Sequence, residues 1–277
     1  MFSHSTQTAW KARGCSAVGS ASPCQGEGRE FESRHPLHSN PGSPGVNLLR
    51  MITTKDILGP VRAPGQCETR AAMVMTLFGA FGRHGTSSAL GNDLDSSFLQ
   101  ELRAWADVVL VSASTAAAEG YGPAETPIAL LTRSLSIDPS LGVFSGGDAL
   151  IACPQQSLDD VALAPKRAAL QAASVKFVST GSGSAPEVIG ALHREGFHRI
   201  ACEGGPSVYA DLISHDLLDV CHVTLDPSVS ADDGPWGLAQ VDRQPSFYQR
   251  YFLEAALSAE DDNDSMLFLR YRSVRER

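Results

Sequence analysis

No stretch of this 277-residue chain approaches eighteen uninterrupted apolar residues, which excludes a membrane-spanning helix. Cations are also scarce: 22 Lys and Arg stand against 31 Asp and Glu, for a formal net charge of −9. Binding along a nucleic-acid backbone needs clustered Lys and Arg, so that class of partner falls away, though a small local anion site does not. The cysteines Cys15, Cys24, Cys67, Cys153, Cys202 and Cys221 include no Cys-x-x-Cys pair and no histidine at finger spacing. A disulfide framework or structural zinc is therefore not expected, and a reducing cytoplasm fits better. The first ten residues have neither the basic start nor the apolar stretch of a secretory signal. There is no Gly-Lys-Ser/Thr phosphate loop.

What is present divides in two. Residues 1–45 are dense in Ser, Gly and Pro, as in Ser39-Asn40-Pro41-Gly42-Ser43-Pro44-Gly45, and lack a sustained period. Such a segment buries too little apolar area to offset the entropy of ordering it, so a disordered extension is expected there. Residues 46–277 read as one domain, and the 43% apolar content of the chain suffices for a core.

Within that domain a short apolar run, Arg70–Thr76, predicts a buried strand. Asp93 predicts a helix N-cap, followed by Phe98, Leu99, Leu102 and Trp105 on one face. Branched apolar residues without alternation predict a buried strand at Asp107–Ser112, with a helix starting near Ala116–Glu119. Further strands are expected at Pro127–Thr132, Ala149–Cys153 and Val175–Ser179. A helix opened by Pro186 and closed by Gly196, a strand at His198–Cys202, a helix opened by Pro206 and a strand at Val220–Leu225 follow. Alternating strands and helices predict a mostly parallel sheet covered on both faces. Tyr251–Ser258 and Met266–Tyr271, separated by an acidic insert over residues 260–264, predict an antiparallel C-terminal hairpin. The fold class is thus a three-layer α/β/α domain.

In such sheets ligands bind beyond the C-terminal strand ends. One end carries Cys202-Glu203-Gly204-Gly205-Pro206-Ser207. Two glycines let the backbone approach a ligand, and the helix start offers N–H groups and its dipole to a phosphate; a tight turn alone explains the glycines equally well. At a second end Thr115, after Ser112-Ala113-Ser114, either caps its own helix or meets a ligand phosphate. At a third, Arg133 either grips a 2′-phosphate or is an ordinary solvated arginine. Gly181-Ser182-Gly183 lacks the third glycine of a dinucleotide fingerprint and reads as a linker. His193, His198, His215 and His222 show no ligand spacing, so no metal site is expected. Met73 and Met75 read as core filler, and Asp159-Asp160 and Asp232-Asp233 as solvated loop acids.

Taken in order, three blocks of residues resemble a known family. They are Ala106–Val111 with Ser112–Thr115 and Glu119-Gly120-Tyr121-Gly122-Pro123, then Leu131-Thr132-Arg133, and then Cys202–Ser207 with Tyr209, Leu212 and Leu217–Val220. From about Arg70 to Arg272 the chain resembles the C-terminal reductase domain of bacterial riboflavin-biosynthesis deaminase-reductases; the deaminase half has no counterpart. The resemblance implies a dihydrofolate-reductase-like fold, a homodimer, NADPH as cofactor, and reduction of the ribose C1′ of 5-amino-6-(5-phosphoribosylamino)uracil. It implies that Gly204, Gly205, Pro206 and Ser207 face the cofactor diphosphate. Thr115 would lie in the cofactor cleft, Arg133 on the adenosine side, and Glu203 near the substrate or nicotinamide as an acid–base group. Ser112 and Ser114 stand where the family commonly has glycine. In the first block, Thr76-Leu77-Phe78-Gly79 puts Phe78 where the family has an aspartate. Two alternatives follow from Phe78: a non-catalytic nucleotide-binding relative, or a reductase in which this ring packs on a flat heterocycle such as a pterin.

Overall fold

The computed structural model describes residues 52–146, 148–229, 249–261 and 264–275. The expected disordered extension and Asp232-Asp233 lie outside the described residues. Helix α1 (Thr54–Leu58) is opened by a reciprocal cap between Thr53 and Asp56. Strand β1 (Glu68–Thr76) starts two residues before the apolar run, because Glu68 and Arg70 are buried as an ion pair. Helix α2 (Asp93–Trp105) is capped by Asn92 and not by Asp93: extended backbone at Asn92 lets its side chain accept from the Leu94 and Asp95 N–H groups. Asp93 is already helical, in the first turn, where an acid suits the dipole.

Strand β2 (Val108–Ser112) runs into helix α3 (Ala113–Ala118), followed by β3 (Ile128–Leu131) and β4 (Ala149–Cys153). Short helix α4 (Gln155–Asp159) and α5 (Ala164–Ala172) then lead to β5 (Lys176–Ser179). Helix α6 (Ala185–Arg194) has Pro186 in its first turn, and the chain leaves it through Gly196 with a left-handed backbone. Strand β6 (Arg199–Gly204), helix α7 (Pro206–Ser214) and β7 (Val220–Asp226) complete the parallel part. The terminal strands are β8 (Tyr251–Asp261) and β9 (Asp264–Ser273). Their pairing continues to Glu260 with Ser265 and Asp261 with Asp264, so most of the acidic insert expected to be loop is strand.

Among the described residues, nine strands form one sheet in the order β5-β4-β3-β2-β6-β1-β7-β9-β8. Every pairing from β5 to β7 is parallel, and β9 pairs antiparallel with both β7 and β8. Helices cover both faces, giving the expected three layers. On β2 the side chains alternate: Val109 and Val111 pack with Phe98, Leu102 and Trp105 of α2 on one face. Val108 and Leu110 pack with Val188, Leu192 and Leu212 of α6 and α7 on the other. Each such fully buried aliphatic side chain contributes about 1.5–3 kcal/mol, which is why the central strands need no polar alternation. The chain order reverses where β6 inserts between β2 and β1, so the crevice of a doubly wound sheet falls at these strands.

Candidate functional site

A cavity of about 370 Å³ is lined by residues of β1, β6 and β7. Ala72, Met73 and Val74 of β1 and Thr224 of β7 line it, as do Asp95, Phe98 and Leu99 of α2. Ser114 and Thr115 of α3 meet Glu203, Gly205, Pro206 and Tyr209 at another wall. Ser96, Ala118, Glu119 and Tyr121 add to the lining, and the loop from Phe81 to Leu90 completes it; that loop is tied to the end of α3, since Glu119 accepts the Ser87 N–H at 2.7 Å.

At the β6–α7 junction both glycines are required by space. A Cβ on Gly205 would stand 2.5 Å from Thr115 Oγ1, and one on Gly204, whose φ is +86°, would stand 2.6 Å from the Tyr209 ring. The Gly204–Gly205 peptide is cis. Helix α7 starts without a side-chain cap, as do α4, α5 and α6, whereas Asn92 caps α2 and Ser112 caps α3. The Thr115 N–H donates to Ser112 Oγ at 3.1 Å, and the Ser112 hydroxyl donates to Thr115 Oγ1 at 2.8 Å. Thr115 therefore does not cap its own helix, and its hydroxyl is held facing Gly205.

Glu203 is buried in a tight cluster. Arg103 donates to both of its oxygens, at 2.7 and 2.6 Å, and the Tyr121 hydroxyl donates to Oε2 at 2.5 Å. The Arg103 guanidinium also lies 5.1 Å from the Tyr121 ring centre. Burial works against the Arg103 charge, but the hydrogen bonds and field of Glu203 outweigh it and raise its pKa. Burial and the adjacent carboxylate push the Tyr121 phenol up, so it stays a donor. Glu203 thus sits in the site as half of an ion pair, which shapes a wall more readily than it moves a proton.

Asp95 is different. Thr224 donates to its Oδ1 at 2.5 Å, and burial, with Asp226 adding repulsion, raises its pKa against the effect of that hydrogen bond. Sequence reasoning missed Asp95, Tyr121 and Arg103. For Asp95 a signal existed: it lies three, four and seven residues before Phe98, Leu99 and Leu102, an acid on the apolar stripe of α2. Arg103 and Glu203 are 100 residues apart, and nothing local marks them as partners.

Of the residues singled out in the sequence, the structure brings Thr115, Glu203, Gly205 and Pro206 together on the cavity. Gly204 and Ser207 flank them without lining it. Arg133 does not join them: its guanidinium donates to the Gly183 carbonyl at 3.0 Å, against the β5–α6 turn. Phe78 is 73% exposed in the turn after β1 and is not a lining residue, so the expectation that its ring packs on a ligand in this cavity is not met. Gly181-Ser182-Gly183 forms the β5–α6 turn, as read. The thiols of Cys153, Cys202 and Cys221 are pushed up by burial, to about 11, 12 and 12, and are no nucleophiles at neutral pH. Among the described residues no group of His, Cys, Asp and Glu could hold a metal ion.

A pyrimidine reductase-like protein of Corynebacterium diphtheriae superposes with a TM-score of 0.65 and 26% identity, over 76% of this chain and 93% of that one. RibD of Acinetobacter baumannii matches with a TM-score of 0.56 and 12% identity over 76% of this chain. A deaminase and 5-amino-6-(5-phosphoribosylamino)uracil reductase of Thermotoga maritima gives 0.55 and 17% over 75%. The match spans only 59% and 57% of those two proteins, and at such identities it shows the fold alone. No curated protein matches the chain. Residues 69–234 match the RibD C-terminal domain, and the chain belongs to that family.

Proposed function

We propose that this protein is an NADPH-dependent reductase of a flat, pyrimidine-like substrate, working in the cavity between β1, β6 and β7. The observation that carries this reading is the meeting, on the cavity, of an uncapped α7, Gly205, which admits no Cβ, and the Thr115 hydroxyl. These residues fit a cofactor diphosphate. Gly205 and Pro206 would let it approach the backbone, the α7 dipole and the Ser207 N–H would face its charge, and Thr115 would add a hydroxyl. NADPH, when bound, supplies the hydride.

The chain's own residues do the remaining work. Met73, Leu90, Phe98 and Leu99 give the cavity an apolar side that excludes water from a bound ring. The Arg103–Glu203–Tyr121 cluster fixes the wall nearest Gly205. Asp95, with its raised pKa, holds a proton at its carboxyl into a higher pH range than an ordinary aspartate and can exchange it with a ligand. The homodimer implied by the family is part of the proposal, with edge strand β8 as its contact and exposed Leu253 upon it.

Titration with NADPH, followed by nucleotide fluorescence, tests the reading: saturable binding is expected, and none at millimolar concentrations would refute it. A second reading, a relative that binds the nucleotide without turnover, is favoured by Phe78 at the family's aspartate position. Saturable binding with no NADPH oxidation by the uracil ribosylamine phosphate, its dephosphorylated form or a pterin would decide for it.

A further inference from the structure

Among the described residues lining the cavity there is no Lys or Arg, so an anionic ligand at the β6–α7 junction is received by neutral donors. The direction of each hydroxyl there decides whether it attracts or repels such a ligand. A backbone N–H can only donate, and the Thr115 N–H does so to Ser112 Oγ at 3.1 Å. The Ser112 proton goes to Thr115 Oγ1, 2.8 Å away, and Ser114 Oγ, at 3.1 Å, then donates to the remaining lone pair of Ser112. Thr115 Oγ1 thus commits a lone pair to Ser112, and among the described residues no acceptor takes its own proton. Thr115 lines the cavity while Ser112 does not, and a Cβ on Gly205 would stand 2.5 Å from Thr115 Oγ1 but 3.7 Å from Ser112 Oγ. The three hydroxyls form a directed relay, Ser114 to Ser112 to Thr115, whose last proton is left for a ligand.

We propose that Ser112 is a positioning residue: by donating to Thr115 Oγ1 it makes the Thr115 hydroxyl a donor toward the diphosphate oxygens of a cofactor seated at Gly205. Without the Ser112 proton, the Thr115 hydroxyl turns freely and presents a lone pair to the anion as readily as its proton. A hydrogen bond to a charged oxygen is roughly twice as strong as a neutral one, so the loss of this alignment reads out in affinity. Successive hydrogen bonds also polarise one another, which strengthens the last donor of the relay. Identifying the anion as a cofactor diphosphate rests on the reductase reading, whereas the relay itself asks only for a phosphate oxygen.

The test uses the full chain, with NADPH affinity read by nucleotide fluorescence and inorganic pyrophosphate affinity by calorimetry. Ser112→Ala should weaken whichever probe binds by about fivefold, and Thr115→Val by about tenfold. In the Thr115→Val background Ser112→Ala should cost less than about twofold, because the group through which Ser112 acts is gone. A merely structural role in capping α3 would carry the same loss into both backgrounds. Ser112→Thr keeps the hydroxyl and should hold affinity within about twofold of the parent. Ser112→Gly removes the same hydroxyl while glycine remains a good N-cap, so it replaces the alanine variant should circular dichroism show that one unfolded. Unchanged affinity in a folded Ser112→Ala or Ser112→Gly, equal losses in the presence and absence of the Thr115 hydroxyl, or failure of both probes to bind at millimolar concentrations would each overturn the proposal. Pyrophosphate binding that shows this coupling while NADPH does not bind would uphold the relay and refute the reductase reading.

Discussion

Replacing Gly205 by alanine is the sharpest probe of the β6–α7 junction. The backbone there, at φ −75° and ψ −162°, accepts alanine, so the cost comes from contact alone. The new methyl would stand 2.5 Å from Thr115 Oγ1, which Ser112 holds in place. Overpacking of this kind costs ~1–3 kcal/mol. At about 2–4 °C per kcal/mol for a domain of this size, Tm should fall by about 2–12 °C. The methyl would also occupy the cradle assigned to the diphosphate, so NADPH affinity should drop at least tenfold, ~1.4 kcal/mol. Thr115→Ala removes the atom in conflict. In that background Gly205→Ala should destabilise less, with a coupling of about 1 kcal/mol or more in a double-mutant cycle read by thermal unfolding. Strictly additive penalties, or an unchanged NADPH affinity in a folded Gly205→Ala, would refute the reasoning.

Glu68→Gln leaves the fully buried Arg70 guanidinium and Arg272 without their shared carboxylate, which should cost ~3–5 kcal/mol in denaturant unfolding; a loss under about 1 kcal/mol would contradict the buried pair. His222 is buried with both ring nitrogens unpartnered, and burial, then Arg70, Arg270 and Arg272, lowers its pKa well below the ordinary value. The unfolded chain then binds the proton more readily, so stability should be lost as pH falls below about 6.5, and His222→Leu should flatten that loss. Asp95 has the opposite sign: burial raises its native pKa, so the ionised form costs stability as pH rises from about 4 through the native value. Asp95→Asn, whose amide oxygen can still accept from Thr224, should be more stable than the parent at pH 8, and the gap should close in acid. A variant less stable at pH 8 would contradict the assignment.

The frame was legible where the physics is local. Val108–Val111 and Ala149–Cys153 are unbroken apolar runs that only a doubly covered strand would carry, and Pro186 and Pro206 mark helix starts by lacking an N–H the helix does not use. Short elements escaped: α1 has five residues, and α4 and α5 are too brief for a period to accumulate. Arg70 reads as the polar start of an apolar run, yet it is fully buried, because Glu68 two residues earlier and the carbonyls of Leu58 and Pro60 receive its guanidinium. The site was half legible. Gly205 and Pro206 lie within one motif, and a glycine pair before a proline-started helix announces close approach. Asp95 with Thr224, and Arg103 and Tyr121 with Glu203, meet only through the crossing of α2 and α3 over the sheet, across 129, 100 and 82 residues. Phe78 was the reverse case: its place in the motif drew it to the cavity, whereas the turn after β1 leaves it exposed.

The most direct measurement is a crystal structure of the protein with NADP bound. The account predicts diphosphate oxygens within hydrogen-bond distance of the Ser207 N–H and the Thr115 hydroxyl, beside Gly205. A cofactor seated elsewhere on the sheet, with the α7 start still facing empty space, would contradict it.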